Sequence, residues 1–479
     1  MARLPKICWS LAPVSVGEAL RLACQTKPAA QRFVELRLDY LADPVQAPDA
    51  VRLLRRARIP AIATLRCVPA GGMYAGTLEQ QLRILEECGR AGAEILDLEI
   101  ESAERAGRAA VARLRGPARL LVSFHDYRQT PEEPLAALRR LRAFPADFYK
   151  VAAVSNRQRD NAALLGLNRA VPGKVVAFAM GELGLPTRVL ALTCGAPFTY
   201  AALSAGQAVA PGQLPGAELL ARYRVSRLSA RTAVYGVIGN PLAHSISPQV
   251  HNAAFVSTRR DAIYLPFRVE LLEDFLEALP AFRLSGFSVT IPHKEAIARA
   301  ADWVEPEARE VGAVNTIVRR GKKLYGYNTD MAGVIVPLEK RLRLRGARVL
   351  VAGAGGAARA AAFALARRKA RVVVVSRRQE QAVALAEQIG GETVERNSLS
   401  GEKFDAIVHA TPLGMYPDTE SCFFSPGELN APLLLETVYS PVETRLVQMA
   451  RRRGVQVIPG LEMFLEQAAG QFELWTRAK

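Results

Sequence analysis

Cysteine and histidine are scarce in this 479-residue chain, which has six cysteines and five histidines. The cysteines lie far apart, without a Cys-x-x-Cys pair and without histidines at metal-ligand spacing. The sequence therefore gives no sign of a zinc site or of a disulfide framework. We expect no bound metal and a reducing, cytoplasmic location.

Long apolar runs are also missing. No stretch of about 20 uncharged apolar residues occurs, and the first apolar stretch is interrupted by Ser10 and Pro13. We expect neither a membrane-spanning helix nor a secretory signal.

Acidic residues are outnumbered, with 46 Asp and Glu against 63 Lys and Arg, for a net charge of +17. Such a charge suits nucleic acid, an anionic membrane surface or small anionic substrates. The sequence contains no nucleic-acid-binding motif and no basic stretch interleaved with aromatic residues. We therefore expect small-molecule substrates, with no nucleic-acid or membrane partner.

At roughly 150 residues per domain, the length predicts about three domains. In the first half, eight short apolar runs alternate with segments long enough for crossover helices, which is typical of parallel strands. The pattern predicts an α/β fold that opens with a (β/α)8 TIM barrel, although an open doubly wound sheet has the same pattern. The runs cover residues 7–12, 33–40, 61–66, 94–100, 120–126, 148–154, 174–180 and 197–203.

Charged residues recur at the carboxyl ends of these runs, where a barrel places its active site. Ionisable groups are costly to bury without partners, so their convergence favours a barrel mouth that binds a polar ligand. They include Glu35, Arg37, Asp39, Arg66, Asp97, Glu99, His125 and Lys150.

Lys150 lies within an apolar run, Phe148-Tyr-Lys-Val-Ala-Ala. Desolvation and nearby arginines lower a lysine pKa, which leaves a neutral amine able to attack a ketone and form a Schiff base. His125 on the neighbouring run has an imidazole suited to removing a proton beside the iminium. The alternative is that His125 is a satisfied core histidine.

A second and a third α/β unit follow a Pro/Gly-rich loop at residues 210–216 and a basic stretch at 222–231. We predict a barrel over residues 1–222, a linker at 223–231 and a substrate-binding lobe at 232–335. The C-terminal helix, 460–479, completes that lobe, and residues 336–459 form a Rossmann lobe.

The Rossmann lobe begins with strand, glycine turn and helix: Val349-Leu-Val-Ala-Gly353, then Ala354-Gly-Gly-Ala357. Such glycines let the backbone approach a pyrophosphate at a helix N-terminus. The next strand ends in Ser376-Arg377-Arg378, where an NAD-binding protein normally offers a carboxylate. A guanidinium pairs with a 2′-phosphate, so the sequence predicts NADP rather than NAD.

The second unit contains Gly239-Asn-Pro-Leu-Ala-His-Ser245-Ile-Ser247, Ser288-Val-Thr290-Ile-Pro-His-Lys294, Ala313-Val-Asn315 and Gly326-Tyr-Asn-Thr-Asp330. Reducing a ketone requires a hydride donor and a proton for the developing alkoxide, and a Lys–Asp pair can supply that proton. These segments, with Val438-Tyr439 and residues 460–467, resemble shikimate dehydrogenases from Thr232 to the C-terminus. The resemblance implies a catalytic pair of Lys294 and Asp330.

The same resemblance implies two groups of binding residues. Substrate would be held by Ser245, Ser247, Thr290, Asn315, Tyr439 and Gln467. Cofactor would be lined by Gly353, Ala354, Gly355, Gly356, Ala357, Ala358, Arg359, Ser376, Arg377, Arg378, Thr411 and Gly460. The chain departs from the family pattern at Met331, Ser376 and His409.

The first half, over residues 5–220, resembles type I 3-dehydroquinate dehydratase. The shared motifs are Phe33-Val-Glu-Leu-Arg-Leu-Asp39, Thr64-Leu-Arg66, Ser123-Phe-His-Asp, Phe148-Tyr-Lys150, Met180-Gly to Arg188 and Ala210-Pro-Gly-Gln213. The resemblance implies a Schiff base on Lys150, with His125 shuttling protons and Glu35 positioning it. Substrate would be gripped by Ser10, Arg37, Arg66, Arg188 and Gln213.

Together the two resemblances imply a bifunctional enzyme of the shikimate pathway. It would dehydrate 3-dehydroquinate to 3-dehydroshikimate and then reduce that ketone to shikimate with NADPH. Ala70 and Val209 depart from the dehydratase pattern, which leaves open a degenerate barrel acting as a binding or regulatory module. A quinate dehydrogenase that uses NAD is a further alternative.

Overall fold

The computed structural model describes residues 4–116, 118–242 and 245–477. It divides into two compact units. The first comprises Met1–Val234 and Asn252–Leu284, and the second comprises Tyr235–His251 and Ser285–Lys479. Ala243 and His244, part of one predicted motif, lie outside the described residues.

The first unit contains the predicted (β/α)8 barrel. Parallel strands, eight of them within the described residues, follow one another around it in the order β7-β6-β5-β4-β3-β2-β1-β8 once numbered along the chain. Each of the eight predicted apolar runs overlaps one of these strands, so the sequence prediction of a barrel is confirmed. The strands are β1 (Ile7–Leu11), β2 (Val34–Arg37), β3 (Ala61–Thr64), β4 (Ile95–Glu99), β5 (Arg119–Asp126), β6 (Phe148–Val154), β7 (Val175–Met180) and β8 (Thr199–Ala202).

The barrel helices begin and end at residues suited to those positions. Thr77 and Gln80 form a reciprocal capping box at one helix start, and Gly92 ends that helix with a φ of +106°. Apolar residues on one face of each helix pack toward the strands. The helices are α1 (Val16–Gln25), α2 (Ala47–Arg56), α3 (Leu78–Ala91), α4 (Ile100–Leu114), α5 (Pro134–Arg142), α6 (Gln158–Ala170), α7 (Leu185–Thr193) and α8 (Gly216–Ala221).

Aromatic side chains are packed inside the barrel. Phe198 lies edge-on to Phe33, Phe148 and Tyr200, with ring centroids 5.2 to 5.9 Å apart. Side chains two residues apart on a strand share a face, so Cys8 of this apolar layer is followed by Ser10 at the mouth. This apolar layer packs directly below the polar residues that line the mouth of the barrel.

The first unit also includes residues 252–284. This segment contains the end of α9 (Ser247–Ser257), then β10 (Ala262–Arg268) and α10 (Leu272–Phe282). Helix α10 packs against the barrel helix α6.

The second unit contains a mixed sheet. Strand β11 (Leu284–Val289) pairs antiparallel with β13 (Thr316–Arg320), which pairs antiparallel with β14 (Lys323–Tyr327). Strand β13 ends at Arg320 because Gly321, with a φ of +63°, closes the β13–β14 hairpin. The other elements are β9 (Ala233–Gly239), β12 (Trp303–Val304), α11 (Lys294–Ala300), α12 (Pro306–Val311) and α13 (Asp330–Glu339).

A parallel Rossmann-like sheet completes the second unit, in the order β17-β16-β15-β18-β19-β20. Small side chains on the first helix of this lobe let it pack closely on the sheet, in one apolar cluster with the central strand. Its two shortest strands were not predicted, because two or three residues carry too little alternation. The elements are β15 (Arg348–Ala352), α14 (Gly356–Arg367), β16 (Arg371–Val375), α15 (Gln379–Ile389), β17 (Glu392–Thr393), β18 (Ala406–His409), β19 (Leu433–Glu436), α16 (Arg445–Arg452), β20 (Gln456–Ile458) and α17 (Gly460–Arg477).

In the part of the chain that the structure describes, no helix is both long and apolar enough to span a bilayer.

Candidate active sites

The carboxyl ends of the barrel strands surround a cavity. All eight residues that the sequence assigns to the barrel site line it, although they come from strands and loops spread over 200 residues. The lining residues are Ser10, Glu35, Arg37, Arg66, His125, Tyr127, Lys150, Ala152, Phe178, Met180, Arg188, Tyr200, Val209, Ala210 and Gln213.

Lys150 projects from β6 and is 4% exposed. Its Nζ lies 3.5 Å from Glu35 Oε1 and 3.9 Å from Asp97 Oδ2, and 3.9 Å from the ring centroid of Tyr200. Burial lowers the pKa of Lys150, and the two carboxylates only partly offset it. The arrangement therefore eases loss of the ammonium proton.

Glu35 is the carboxylate held against this lysine. Its Oε2 accepts a hydrogen bond from Ser10 Oγ at 2.8 Å, and Ser10 Oγ accepts one from Gln213 Nε2 at 3.1 Å. Burial raises the pKa of Glu35, but the charges of Lys150 and Arg66 outweigh it and lower the pKa to about 2. Glu35 is thus an anion at every physiological pH.

His125 is hydrogen-bonded by Arg66, and its positioning by Glu35 stays a prediction. Arg66 Nη1 donates to His125 Nε2 at 2.7 Å, and Arg66 Nη2 donates to Asp97 Oδ2 at 2.9 Å. Because a guanidinium only donates, Nε2 accepts and the ring proton lies on Nδ1. Glu35 makes hydrogen bonds with Ser10, Thr64 and Lys150.

The charge of His125 is strongly disfavoured. Burial lowers its pKa well below the ordinary value, and the nearby positive charges of Arg66 and Lys150 add to the effect. Within the described residues, Nδ1 is buried and has no hydrogen-bond partner. The imidazole is therefore neutral, and its Nε2 lone pair accepts from Arg66.

Arg188 is a buried cation that forms no ion pair within the described residues. It is 1% exposed, its guanidinium carbon lies 4.7 Å from the ring centroid of Phe178, and Nη2 donates to the Pro211 carbonyl at 2.8 Å. Among the described residues no carboxylate pairs with it, and Nε lacks a partner. Burial lowers its pKa to about 10. Such a charge at a cavity suits an anionic ligand.

The two departures from the dehydratase pattern have different surroundings. Ala70 ends a short turn after β3 and is buried. Val209 lines the cavity, and its backbone N–H donates to Gln213 Oε1 at 3.1 Å. That contact needs no serine side chain, so Gln213 is still oriented toward Ser10. Arg37, also expected to grip substrate, makes two hydrogen bonds to Asp39, at 2.9 and 2.8 Å.

In the second unit, Lys294 at the start of α11 meets Asp330 at the start of α13. Lys294 Nζ lies 2.5 Å from Asp330 Oδ2, and Asn315 Nδ2 donates to Oδ1 at 2.7 Å. Asn315 also contacts Gln467 Oε1 of α17 at 3.4 Å. The carboxylate is therefore held on both oxygens, and the lysine, amide and glutamine predicted from separate segments converge.

The other predicted substrate residues lie in the same unit. Ser245 Oγ and Ser247 Oγ are 3.2 Å apart, and burial raises the pKa of Tyr439, which a hydrogen bond with Ser245 partly offsets. Thr290 follows β11, and its backbone N–H donates to the Ile238 carbonyl at 2.9 Å.

The glycine turn at the end of β15 fits a dinucleotide. Gly353 has a φ of +124°, and a Cβ there would lie 2.7 Å from the Ala410 carbonyl oxygen. Gly355 precedes α14, whose first N–H groups have no intrahelical acceptor and suit a phosphate. A Cβ on Gly356 would lie 3.3 Å from Lys294 Cδ, so the turn adjoins the lysine of the Lys–Asp pair. The turn also contains the predicted Ala354 and Ala357.

After β16, Ser376 Oγ donates to the Arg378 carbonyl at 2.6 Å, which shapes the loop. Arg377 and Arg378 are exposed, and no ion pair involves either of them in the described ranges. Free guanidiniums here suit a 2′-phosphate. Gly460 begins α17 where a Cβ would lie 2.3 Å from the Val438 carbonyl oxygen.

Thr411 hydrogen-bonds a buried histidine. His409 Nε2 lies 2.5 Å from Thr411 Oγ1, and His409 Nδ1 lies 2.8 Å from Glu436 Oε1. Thr444 Oγ1 donates to the other oxygen of Glu436 at 3.0 Å. His409, which departs from the family pattern, is therefore held by a hydrogen bond with Glu436.

Two residues of the barrel site were not assigned roles from the sequence. Asp97 was noted only as one of several charges, although its period-two spacing with Glu99 on a buried strand was a usable signal. Tyr200 lies beneath Lys150, with its hydroxyl buried and unpartnered among the described residues. Nothing in the sequence distinguishes it from a core aromatic.

Three family models match the chain. Type I 3-dehydroquinase matches residues 7–230, the shikimate dehydrogenase substrate binding domain matches 237–317, and shikimate / quinate 5-dehydrogenase matches 337–412. The matches occur in the order in which the sites occur along the chain.

Curated relatives and solved structures were also found. The chloroplastic bifunctional 3-dehydroquinate dehydratase/shikimate dehydrogenase of Arabidopsis thaliana is 34% identical over 97% of this chain and 81% of its own length. The NADP(+) shikimate dehydrogenase of Salinibacter ruber is 42% identical over 52% of this chain and 94% of its own. A shikimate 5-dehydrogenase structure from Thermus thermophilus, with NADP(H) and shikimate, is 36% identical over 51% of this chain and 94% of its own, with a TM-score of 0.48.

Proposed function

The chain belongs to the family of bifunctional 3-dehydroquinate dehydratase/shikimate dehydrogenases, and from this premise we propose which residues carry out its two reactions. It is a lyase and an NADP-dependent oxidoreductase. The barrel dehydrates 3-dehydroquinate to 3-dehydroshikimate, and the second half reduces that ketone to shikimate.

In the dehydration, Lys150 attacks the substrate ketone as a neutral amine and releases water to form an iminium. His125 then removes a proton beside the iminium, and the resulting enamine electron pair expels the hydroxyl group, which takes that proton back from His125 and leaves as water. Hydrolysis of the iminium returns the lysine. The observation that carries this assignment is the burial of Lys150 between Glu35 and Asp97, which lowers its pKa and leaves a carboxylate to pair with the cationic iminium.

Substrate binding in the barrel rests on Arg188. Its buried and unpaired guanidinium supports a contact with the substrate carboxylate. The contacts of Ser10, Arg37, Arg66 and Gln213 at the cavity support roles for them toward the substrate hydroxyls.

In the reduction, Lys294 donates a proton to the carbonyl oxygen and Asp330 orients Lys294. NADPH, when bound, supplies the hydride. Asp330 keeps Lys294 oriented through the 2.5 Å contact, and the ammonium donates to the oxygen on which charge develops. Asn315 and Gln467, with Ser245, Ser247, Thr290 and Tyr439, would orient the hydroxyls and carboxylate.

NADP binding is assigned to the glycine turn and the loop after β16. The close approach at Gly353 and the free guanidiniums of Arg377 and Arg378 support this assignment. Thr411 and Gly460 complete the proposed lining. The 2′-phosphate would contact the two arginines, and the pyrophosphate would contact the N-terminus of α14.

We also propose the division into a barrel at residues 1–222, a linker at 223–231, a substrate lobe at 232–335 completed by 460–479, and a Rossmann lobe at 336–459. Two observations support it: α8 ends at Ala221, and α17 brings Gln467 to Asn315.

A cytoplasmic location and the lack of a nucleic-acid partner remain part of the proposal, and the six free cysteines support a reducing compartment.

Borohydride trapping tests the dehydratase assignment directly. Treating the enzyme with 3-dehydroquinate and borohydride converts the iminium to a stable secondary amine, and peptide mass spectrometry should find the adduct on Lys150. An adduct elsewhere, or none, would contradict the role of Lys150.

NADPH oxidation with added 3-dehydroshikimate tests the reductase. Comparison with quinate and NAD⁺ in the reverse direction tests the alternative specificity.

A further inference from the structure

Residues 252–284 contact the barrel at the N-terminus of α6. Asp274, in the first turn of α10, accepts the backbone N–H of Gln158 at 2.5 Å and that of Arg159 at 3.4 Å. These are the first two residues of α6, whose N–H groups have no acceptor within the helix. Asp274 therefore caps a barrel helix from a segment that lies within the match to the dehydrogenase substrate-binding domain.

The side chain of Gln158 connects this contact to other residues of the first unit. Its Nε2 donates to the Arg268 carbonyl at 2.6 Å, and its Oε1 accepts from Asn161 Nδ2 at 3.0 Å. Asn161 Nδ2 also donates to the Leu183 carbonyl at 2.9 Å. Gln158 and Asn161 are 2% and 0% exposed, so these bonds are shielded from water.

Leu183 belongs to the loop of residues 181–184, which connects β7 to α7 at the barrel mouth. Gly181 N donates to the Pro211 carbonyl at 3.3 Å, and a Cβ on Gly212 would lie 2.4 Å from the Gly181 oxygen. Two residues of the mouth depend on this packing. Arg188 donates to the Pro211 carbonyl, and Gln213 reaches Ser10.

We propose that Asp274 and Gln158 are positioning residues for the dehydratase, through which the dehydrogenase segment 252–284 holds the mouth loops in their substrate-binding arrangement. This inference rests on the proposed dehydratase function. The ion pair between Arg268 and Glu182 joins the same segment to the same loop, but both side chains are substantially exposed, and such pairs contribute little. The hydrogen bonds made by the buried side chains of Gln158 and Asn161 carry the coupling.

The test is the Asp274→Ala variant of the full chain, assayed with 3-dehydroquinate. We expect KM to rise about tenfold, with kcat changing less than about threefold, because loss of the hydrogen bonds from Gln158 and Arg159 to a charged carboxylate is sufficient for that shift. Asp274→Asn keeps an oxygen acceptor for the N–H of Gln158 and should recover most of the loss. Hydrogen exchange at residues 181–184 and 210–213 should be faster in Asp274→Ala than in the wild type.

Asp147→Ala is the matched control. Asp147 is also a barrel carboxylate that accepts a backbone N–H, from Leu120 at 3.0 Å, and pairs with Arg115. It precedes β6 and therefore lies at the amino ends of the strands, opposite the mouth. The KM of Asp147→Ala should remain within about twofold of the wild type. Its thermal stability should fall by about as much as that of Asp274→Ala.

The outcomes are distinct. A wild type that does not dehydrate 3-dehydroquinate would overturn the proposed function itself. With an active wild type, an unchanged KM in Asp274→Ala, or an equal rise in Asp147→Ala, would overturn the positioning role alone. If Asp274→Ala does not fold, Gln158→Ala replaces it, and unchanged KM and exchange at 181–184 in that variant would overturn the inference.

Discussion

The two lysines at the centres of the two sites are held in different ways. Lys150 is enclosed, with its side chain 5% exposed, and stands 3.5 and 3.9 Å from two carboxylates. Lys294 has a side chain 17% exposed and contacts a single carboxylate at 2.5 Å. A nucleophilic amine must lose its proton, so loose pairing and deep burial suit it, whereas a proton donor benefits from tight pairing on a carboxylate. The difference teaches that the surroundings, and not the residue type, set the role of each lysine.

Replacing the enclosed lysine tests this contrast most strongly. Lys150→Ala should reduce dehydration by about 10⁵-fold or more, because it removes the nucleophile, and should leave reduction of 3-dehydroshikimate within about twofold. Separate assays of the two reactions measure this. The exposed Lys174, on the same barrel, provides the control substitution Lys174→Ala, which should affect neither. Loss of both activities in Lys150→Ala would mean that the two halves do not act independently.

The converse change concerns the paired lysine. Lys294→Ala should reduce dehydroshikimate reduction by about 10³-fold through loss of the proton donor, while dehydration stays unchanged. Steady-state NADPH oxidation measures the effect, with Lys340→Ala as the control, since Lys340 pairs with Glu466 at 2.8 Å but lies on the surface. A near-normal reduction rate would show that another group donates the proton.

Arg188 separates binding from chemistry within the barrel. Arg188→Leu should raise the KM for 3-dehydroquinate by about 100-fold, because the substrate carboxylate loses its charged partner. The free energy of unfolding should not fall, because the wild-type charge is buried without a counter-ion. Kinetics and thermal melting measure the two effects. A destabilised variant with normal KM would make Arg188 a structural residue.

The cofactor loop should show a smaller effect. Arg377→Ala should raise the KM for NADPH about tenfold and leave that for NADH unchanged, because only NADPH carries the 2′-phosphate. Arg371→Ala, at the exposed start of β16, is the control. An equal loss for both cofactors would contradict the assignment of Arg377 to the phosphate.

The pH dependence of imine formation sharpens the account of Lys150. The amine reacts when deprotonated, so the rate rises with pH through the pKa of Lys150, which burial places below its usual 10.5. Glu35 favours the ammonium, so Glu35→Gln should lower that pKa further and shift the rising limb to lower pH. The initial rate of borohydride trapping against pH measures it. A shift to higher pH would contradict the electrostatic role of Glu35.

The sequence predicted the barrel and the Rossmann-like lobe well, because near-continuous apolar runs and a glycine turn are local signals. Charges at the ends of those runs indicated five site residues of the barrel, and the resemblance to known families supplied the other site residues. The partner of each residue was harder to predict. The hydrogen bond between Arg66 and His125 was not predicted, because which side chains meet across a barrel depends on strand stagger that no local pattern encodes. The contact between Asp274 and α6 joins residues more than 100 positions apart and had no local signal.

The central claim is that both lysines work in one chain despite the departures at Ala70 and Val209. Nicotinamide absorbance on mixing the protein, NADPH and 3-dehydroquinate tests it most directly, because NADPH is consumed only if dehydration feeds reduction. The account predicts consumption by the wild type, none by Lys150→Ala, and its return in Lys150→Ala when 3-dehydroshikimate is supplied. A wild type that consumes NADPH with 3-dehydroshikimate but not with 3-dehydroquinate would contradict the account and make the barrel catalytically silent.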